Sequence, residues 1–97
     1  QDYNQVSQQY IDRMSRVTDS HKSRLIKEVQ ESKELMELLR KVRAHELSEE
    51  EKHQMQILLI AALKSIPTFV IISLPQRFLT LPILMKILPH NFFAEVA

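Results

Sequence analysis

The four histidines, His21, His45, His53 and His90, are the side chains best suited to hold a metal or to move a proton near neutral pH. A zinc pair on one helix face needs two histidines four apart with a glutamate after the first. His45 and Glu46 open that pattern, but Leu47, Ser48 and Glu49 follow, and His53 lies eight residues on. No metal site is expected. The serines have no nucleophile elbow, and no histidine and acid stand at catalytic spacing. The chain has no glycine, which removes the Walker loop, the dinucleotide fingerprint and the calcium loop. It has no cysteine, which removes thiolate catalysis, disulfides and cysteine-bound zinc, and leaves the redox compartment open. No catalytic residue and no cofactor is expected, and the chain is read as a protein that is not an enzyme.

The charges point to no partner in bulk. Thirteen basic and 12 acidic residues leave a formal charge of +1, so no global field draws in nucleic acid or an anionic bilayer. Arg40, Lys41 and Arg43 form the densest basic cluster, with Glu37 and Glu46 close in sequence. A solvated helix face is the expected reading, and contact with lipid headgroups the secondary one. Glu49, Glu50 and Glu51 follow Ser48, a helix start in which the serine accepts an amide hydrogen and Glu51 reaches back as the capping-box partner.

The elements that carry these residues are helical. From Tyr3 an apolar series runs through Val6, Tyr10, Met14 and Val17, passes His21, and continues through Leu25 and Val29 in steps of three and four. It passes Ser32 and resumes at Met36, Leu39 and Val42, and no proline or glycine interrupts it before Pro67. One long helix or two nearly collinear ones are expected. Asp19, Ser20, His21 and Ser23 break the seam, so a bend is expected there and a sustained coiled coil is the lesser expectation.

The two halves differ in kind. Residues 1–56 hold 21 of the 25 charged side chains; residues 57–97 hold only Lys64, Arg77, Lys86 and Glu95, with 26 apolar residues among 41. Two units follow: an amphipathic segment, 1–47, and an apolar segment, 48–97, cornered by Pro67, Pro75, Pro82 and Pro89. A bilayer's hydrocarbon core of about 30 Å needs about 20 helical residues. Residues 57–76 supply 20, but Lys64 interrupts them, at a cost of roughly 2.5–3.5 kcal/mol at mid-bilayer. The uncharged run 65–76 has 12 residues, about 18 Å of helix. A hairpin or re-entrant insertion suits these lengths better than a single span.

From His45 onward, Leu47, Ser48, Glu51 and Gln54 lead into Pro67, Pro75, Leu81, Pro82, Lys86 and Pro89, the last three prolines seven apart. This order over residues 45–97 resembles the leucine-zipper and EF-hand-containing transmembrane protein family of mitochondrial inner membranes, which has bacterial relatives. The resemblance implies a segment of a cation/proton exchange protein serving potassium or calcium homeostasis. It implies the mitochondrial inner membrane in a eukaryote and the cytoplasmic membrane in a bacterium. Ribosome contact would belong to family portions outside this chain. Family members carry acids in the helix before the first proline and shortly after the second, where this chain has Ala61 and Phe78. Between Glu51 and Glu95 there is no carboxylate, so a dehydrated cation would find only carbonyls there.

The expected whole is all-α: a long amphipathic helix or helix pair, then short proline-delimited apolar helices that associate with membrane lipid. The prolines set its corners, and Lys64, Arg77 and Lys86 act as headgroup anchors or pathway cations. Nucleic acid is not an expected partner; a second copy or a partner helix is. The rival expectation is a soluble or oligomeric helical interaction module, with Lys64 and Lys86 at the edge of a core and prolines in first helical turns. The chain begins at Gln1 and is read as a processed or excised piece.

Overall fold

A computed structural model describes residues 3–66 and 80–97, with side chains from Gln8 onward. Pro67, Pro75 and Arg77 lie outside the described residues, as do the side chains of Tyr3 and Val6. The described chain is all-α, with six helices and no strand: α1 Tyr3–Ser20, α2 Lys22–Gln30, α3 Lys33–Arg43, α4 Glu49–Leu63, α5 Leu81–Ile87 and α6 Phe92–Val96.

The expected long helix or helix pair is three helices. The first break falls at His21, where the seam turns polar; its Nδ1 lies 3.1 Å from the Val17 carbonyl oxygen. The second corrects the expectation that the stripe simply passes Ser32. Ser32 takes extended backbone and its Oγ accepts from the Leu35 amide at 3.2 Å, so it caps a new helix. Restarting the helix resets its phase. Beyond the cap the buried residues are Leu35, Leu38 and Leu39, while Met36 and Val42 are half-buried.

The α3–α4 corner turns without glycine. His45 adopts φ 57° and ends α3 in a Schellman arrangement, with Glu46 N donating to Lys41 O and His45 N to Val42 O, each at 3.0 Å. Histidine tolerates this left-handed region better than branched residues do. Ser48 then opens α4 with the expected capping box: Glu51 N donates to Ser48 Oγ at 3.1 Å and Ser48 N donates to Glu51 Oε1 at 3.0 Å. The helix ends at Leu63, and two tighter turns, Ser65 N to Ala62 O and Ile66 N to Leu63 O, carry the chain to Ile66.

The described helices of the second half pack into the first. α2 contacts α1, α3, α4 and α6, and α5 lies against α1 and α4. Met14, Leu25 and Val29 share one core with Leu59, Leu63, Ile66, Leu84, Ile87 and Phe92, all almost fully buried. Each such large side chain contributes about 1.5–3 kcal/mol of transfer free energy. Met14, Leu25, Val29, Leu35 and Leu39 of the α1–α3 stripe are thus buried in one core with α4–α6. Among the described residues no helix is long and apolar enough to cross a membrane.

One polar contact fixes the register of the tail. The carbonyl of Ile87, in the last turn of α5, lacks an intrahelical donor. Thr18, the one buried polar side chain among the described residues, places Oγ1 2.6 Å from it and 2.9 Å from Ser15 O. Replacing Thr18 by Val keeps the shape and strands that carbonyl, so the folding free energy is expected to fall by about 1–3 kcal/mol in urea unfolding, whereas Thr18→Ser retains most of it. His45→Gly removes the left-handed penalty and is expected to raise the urea midpoint, by about 1 kcal/mol in stability.

Candidate functional site

An apolar groove opens at the edge of the core where the α3–α4 corner meets α5. Because His45 turns the chain sharply and Leu47 follows it inward, Val42 and Leu47 stand beside Met55 of α4 and Leu81 and Met85 of α5. They line an open apolar groove of about 300 Å³ rimmed by His45 and Lys52. A wider recess of about 550 Å³ continues along α4 and α5 past Glu49, His53, Gln56, Thr80 and Pro82. The Lys52 ammonium is occupied by Glu49 at 3.1 Å. Two methionines give the groove an adaptable wall. It is suited to receiving an apolar side chain.

Of the prolines among the described residues, Pro82 lines the wider recess. It sits in the first turn of α5, where its missing amide hydrogen costs no intrahelical bond. Pro89 follows α5, is buried, and accepts from Phe92 N at 3.0 Å through its carbonyl. Lys64 caps the end of α4 and Lys86 lies in the last turn of α5; both are exposed, and neither has a carboxylate partner among the described residues. The structure does not gather Lys64 and Lys86 into one site with the groove. Met55, Leu81 and Met85 carry no site signal in the sequence, and only the position of the α3–α4 corner turns them into a groove wall.

A clamp ties α3 to α4 outside the groove. Lys41 of α3 donates to Glu51 of α4, the same carboxylate that completes the capping box. The Lys41 hydrogen bond, and then the Ser48 amide, holds the Glu51 carboxyl below its ordinary value; the same bond raises the Lys41 ammonium. Acidic side chains gather on this side: Glu34, Glu37, Glu50 and Glu51 line a cleft of about 520 Å³ with Lys41 and His53. No group of three histidines or carboxylates able to hold a metal ion occurs among the described residues.

Because Glu51 titrates lower in the folded chain, its stabilisation is present above the unfolded value, about 4.3, and is lost as pH falls through the folded one. Lys41 gives the mirror case, with stabilisation present below about 10.4 and lost as pH rises through its raised value. Glu51→Gln is therefore expected to flatten the acid limb of a plot of Tm against pH and to reduce the drop above about pH 10. A Tm profile identical to that of the unsubstituted chain would show the clamp to be idle. In comparisons with known proteins, no family model, curated protein or solved structure matches this chain.

Proposed function

We propose that this chain is a non-enzymatic helical module of a membrane-associated cation/proton exchange protein, in which the described residues serve as a folded packing and docking unit and not as the ion path. The observation that carries this reading is the fate of the apolar second half. Leu59, Leu63, Ile66, Leu84, Ile87 and Phe92 are buried against α1–α3, so they have no free surface to give to lipid or to an ion. The acid-free stretch between Glu51 and Glu95 supports the same division of labour, since it offers a proton-coupled cation path no carboxylate. Support for the membrane setting comes from the proline order from Pro67 to Pro89 and its family resemblance, and from the apolar run Phe69–Leu74. Lys64 and Lys86, exposed and unpaired among the described residues, would be headgroup anchors, with Arg77 as a third. The compartment in this reading is the mitochondrial inner membrane or the bacterial cytoplasmic membrane.

A second reading is favoured by the groove at the α3–α4 corner, which fits an apolar side chain of a partner helix or a second copy. In it the chain is a helical interaction module with no membrane role. Extraction of membranes with alkaline carbonate separates the two. The first reading expects the chain in the membrane pellet and its release to the aqueous phase by Ile71→Asp with Ile72→Asp; recovery of the unsubstituted chain in the aqueous phase favours the second. Vesicles reconstituted with the intact protein are expected to show cation-driven proton flux, and no such flux would remove the exchange assignment.

A further inference from the structure

We infer that one face of α3 together with the end of α6 forms a binding surface for the headgroup of an anionic phospholipid. This rests on the membrane-associated reading above and names the partner it would meet.

α3 sorts its charges by side. At about 100° per residue, Met36, Leu39, Arg40 and Arg43 share one face, while Glu34, Glu37 and Lys41 lie roughly 150° away around the axis. The two sets line different clefts. The acids and Lys41 face α4, where Lys41 is consumed by Glu51. Arg40 and Arg43 instead rim a cleft of about 290 Å³ floored by Met36, Leu39, Phe93 and Val96. Lys33, exposed at the start of α3, extends the basic column seven residues before Arg40.

The guanidiniums are available for an anion. Among the described residues neither Arg40 nor Arg43 has a carboxylate within salt-bridge distance. The nearest acid on α6, Glu95, is held by Lys22 at 2.6 Å. The only partner of Arg43 among the described residues is the Phe93 carbonyl, at a long 3.5 Å. Paired guanidiniums present a fork that matches phosphate oxygens. At about 290 Å³ the cleft falls just below the roughly 300–1,000 Å³ range of pockets for drug-sized ligands, room for a phosphate and its first attached carbons. Its floor decides the class of ligand. A nucleic-acid backbone calls for an extended basic track with a series of stacking aromatics, and this cleft has two arginines and Phe93 alone. A basic rim over apolar side chains matches a phosphodiester whose glycerol and acyl carbons continue into a bilayer.

The test uses the full chain with phosphatidylcholine vesicles, with and without phosphatidylglycerol, followed by co-sedimentation. Tighter binding to the anionic vesicles is expected. Arg40→Gln with Arg43→Gln is expected to weaken it about 25-fold, at about five-fold per cationic side chain on an anionic surface. Removing the same charge from α1, by Arg13→Gln with Arg16→Gln, is expected to change it less than about two-fold. Equal losses in both double variants, or no loss in the first, would overturn the site while leaving membrane association standing. An unsubstituted chain that ignores both vesicles would instead remove the membrane reading itself. Release from vesicles by inorganic phosphate at matched ionic strength, or preferential binding of a single-stranded oligonucleotide, would also overturn the lipid assignment. All four arginines are exposed, so unchanged thermal unfolding serves as the folding control.

Discussion

α1 to α3 each carry a single apolar stripe, and α4 to α6 carry more apolar surface than they can hide among themselves. The fold is the meeting of those two needs. Met14, Leu25, Val29 and Leu35 cover Leu59, Leu63, Leu84 and Phe92, and the buried set is one cluster running through both halves. α2 stands where that cluster is densest, touching four other helices. The remaining features are consequences of closing this core with a chain that has no glycine and four prolines.

Helix ends are where a glycine-free chain meets its hardest polar demands. The first amides and last carbonyls of every helix need outside partners. Ser32 and Ser48 supply side-chain caps, and among the described residues His45 and Asn91 take left-handed positions, φ 57° and 60°. Thr18 reaches across from α1 to the last turn of α5. Around the rim, Asp19 accepts from His90 N at 3.2 Å, Gln30 donates to Val96 O at 3.2 Å, and Lys22 meets Glu95. These polar links between α1–α2 and the tail fix which way α5 and α6 lie, a choice that non-directional apolar burial leaves open.

α3 divides the surface. On one side its acids and Lys41 face α4 and fasten the corner through Glu51; on another, Arg40 and Arg43 overlook an apolar cleft closed by α6. Beyond its last turn the Schellman turn at His45 forms the third feature, the groove against α5. A short helix presents three chemistries because its charges were never mixed around its circumference.

Local rules made much of this readable in advance. The capping box at Ser48, the weak point at His21, the stop before Pro67 and the shortness of the final helices all follow from contacts within one or two turns. The break at Ser32 was harder, because a serine in a continuing apolar series caps a helix only if the preceding chain can turn away, and that depends on what α3 packs against. Pro82 likewise reads as a helix breaker or a helix starter according to where the chain before it goes. Apolarity in the second half fixed that those residues must leave water; it could not say whether lipid or α1–α3 would receive them, since both are apolar and the transfer free energy barely distinguishes them. That choice, the pairing of Thr18 with Ile87 across 69 positions, and the assembly of Val42, Leu47, Met55 and Met85 into one wall belong to tertiary structure, because they join residues far apart in the chain whose proximity no local periodicity encodes.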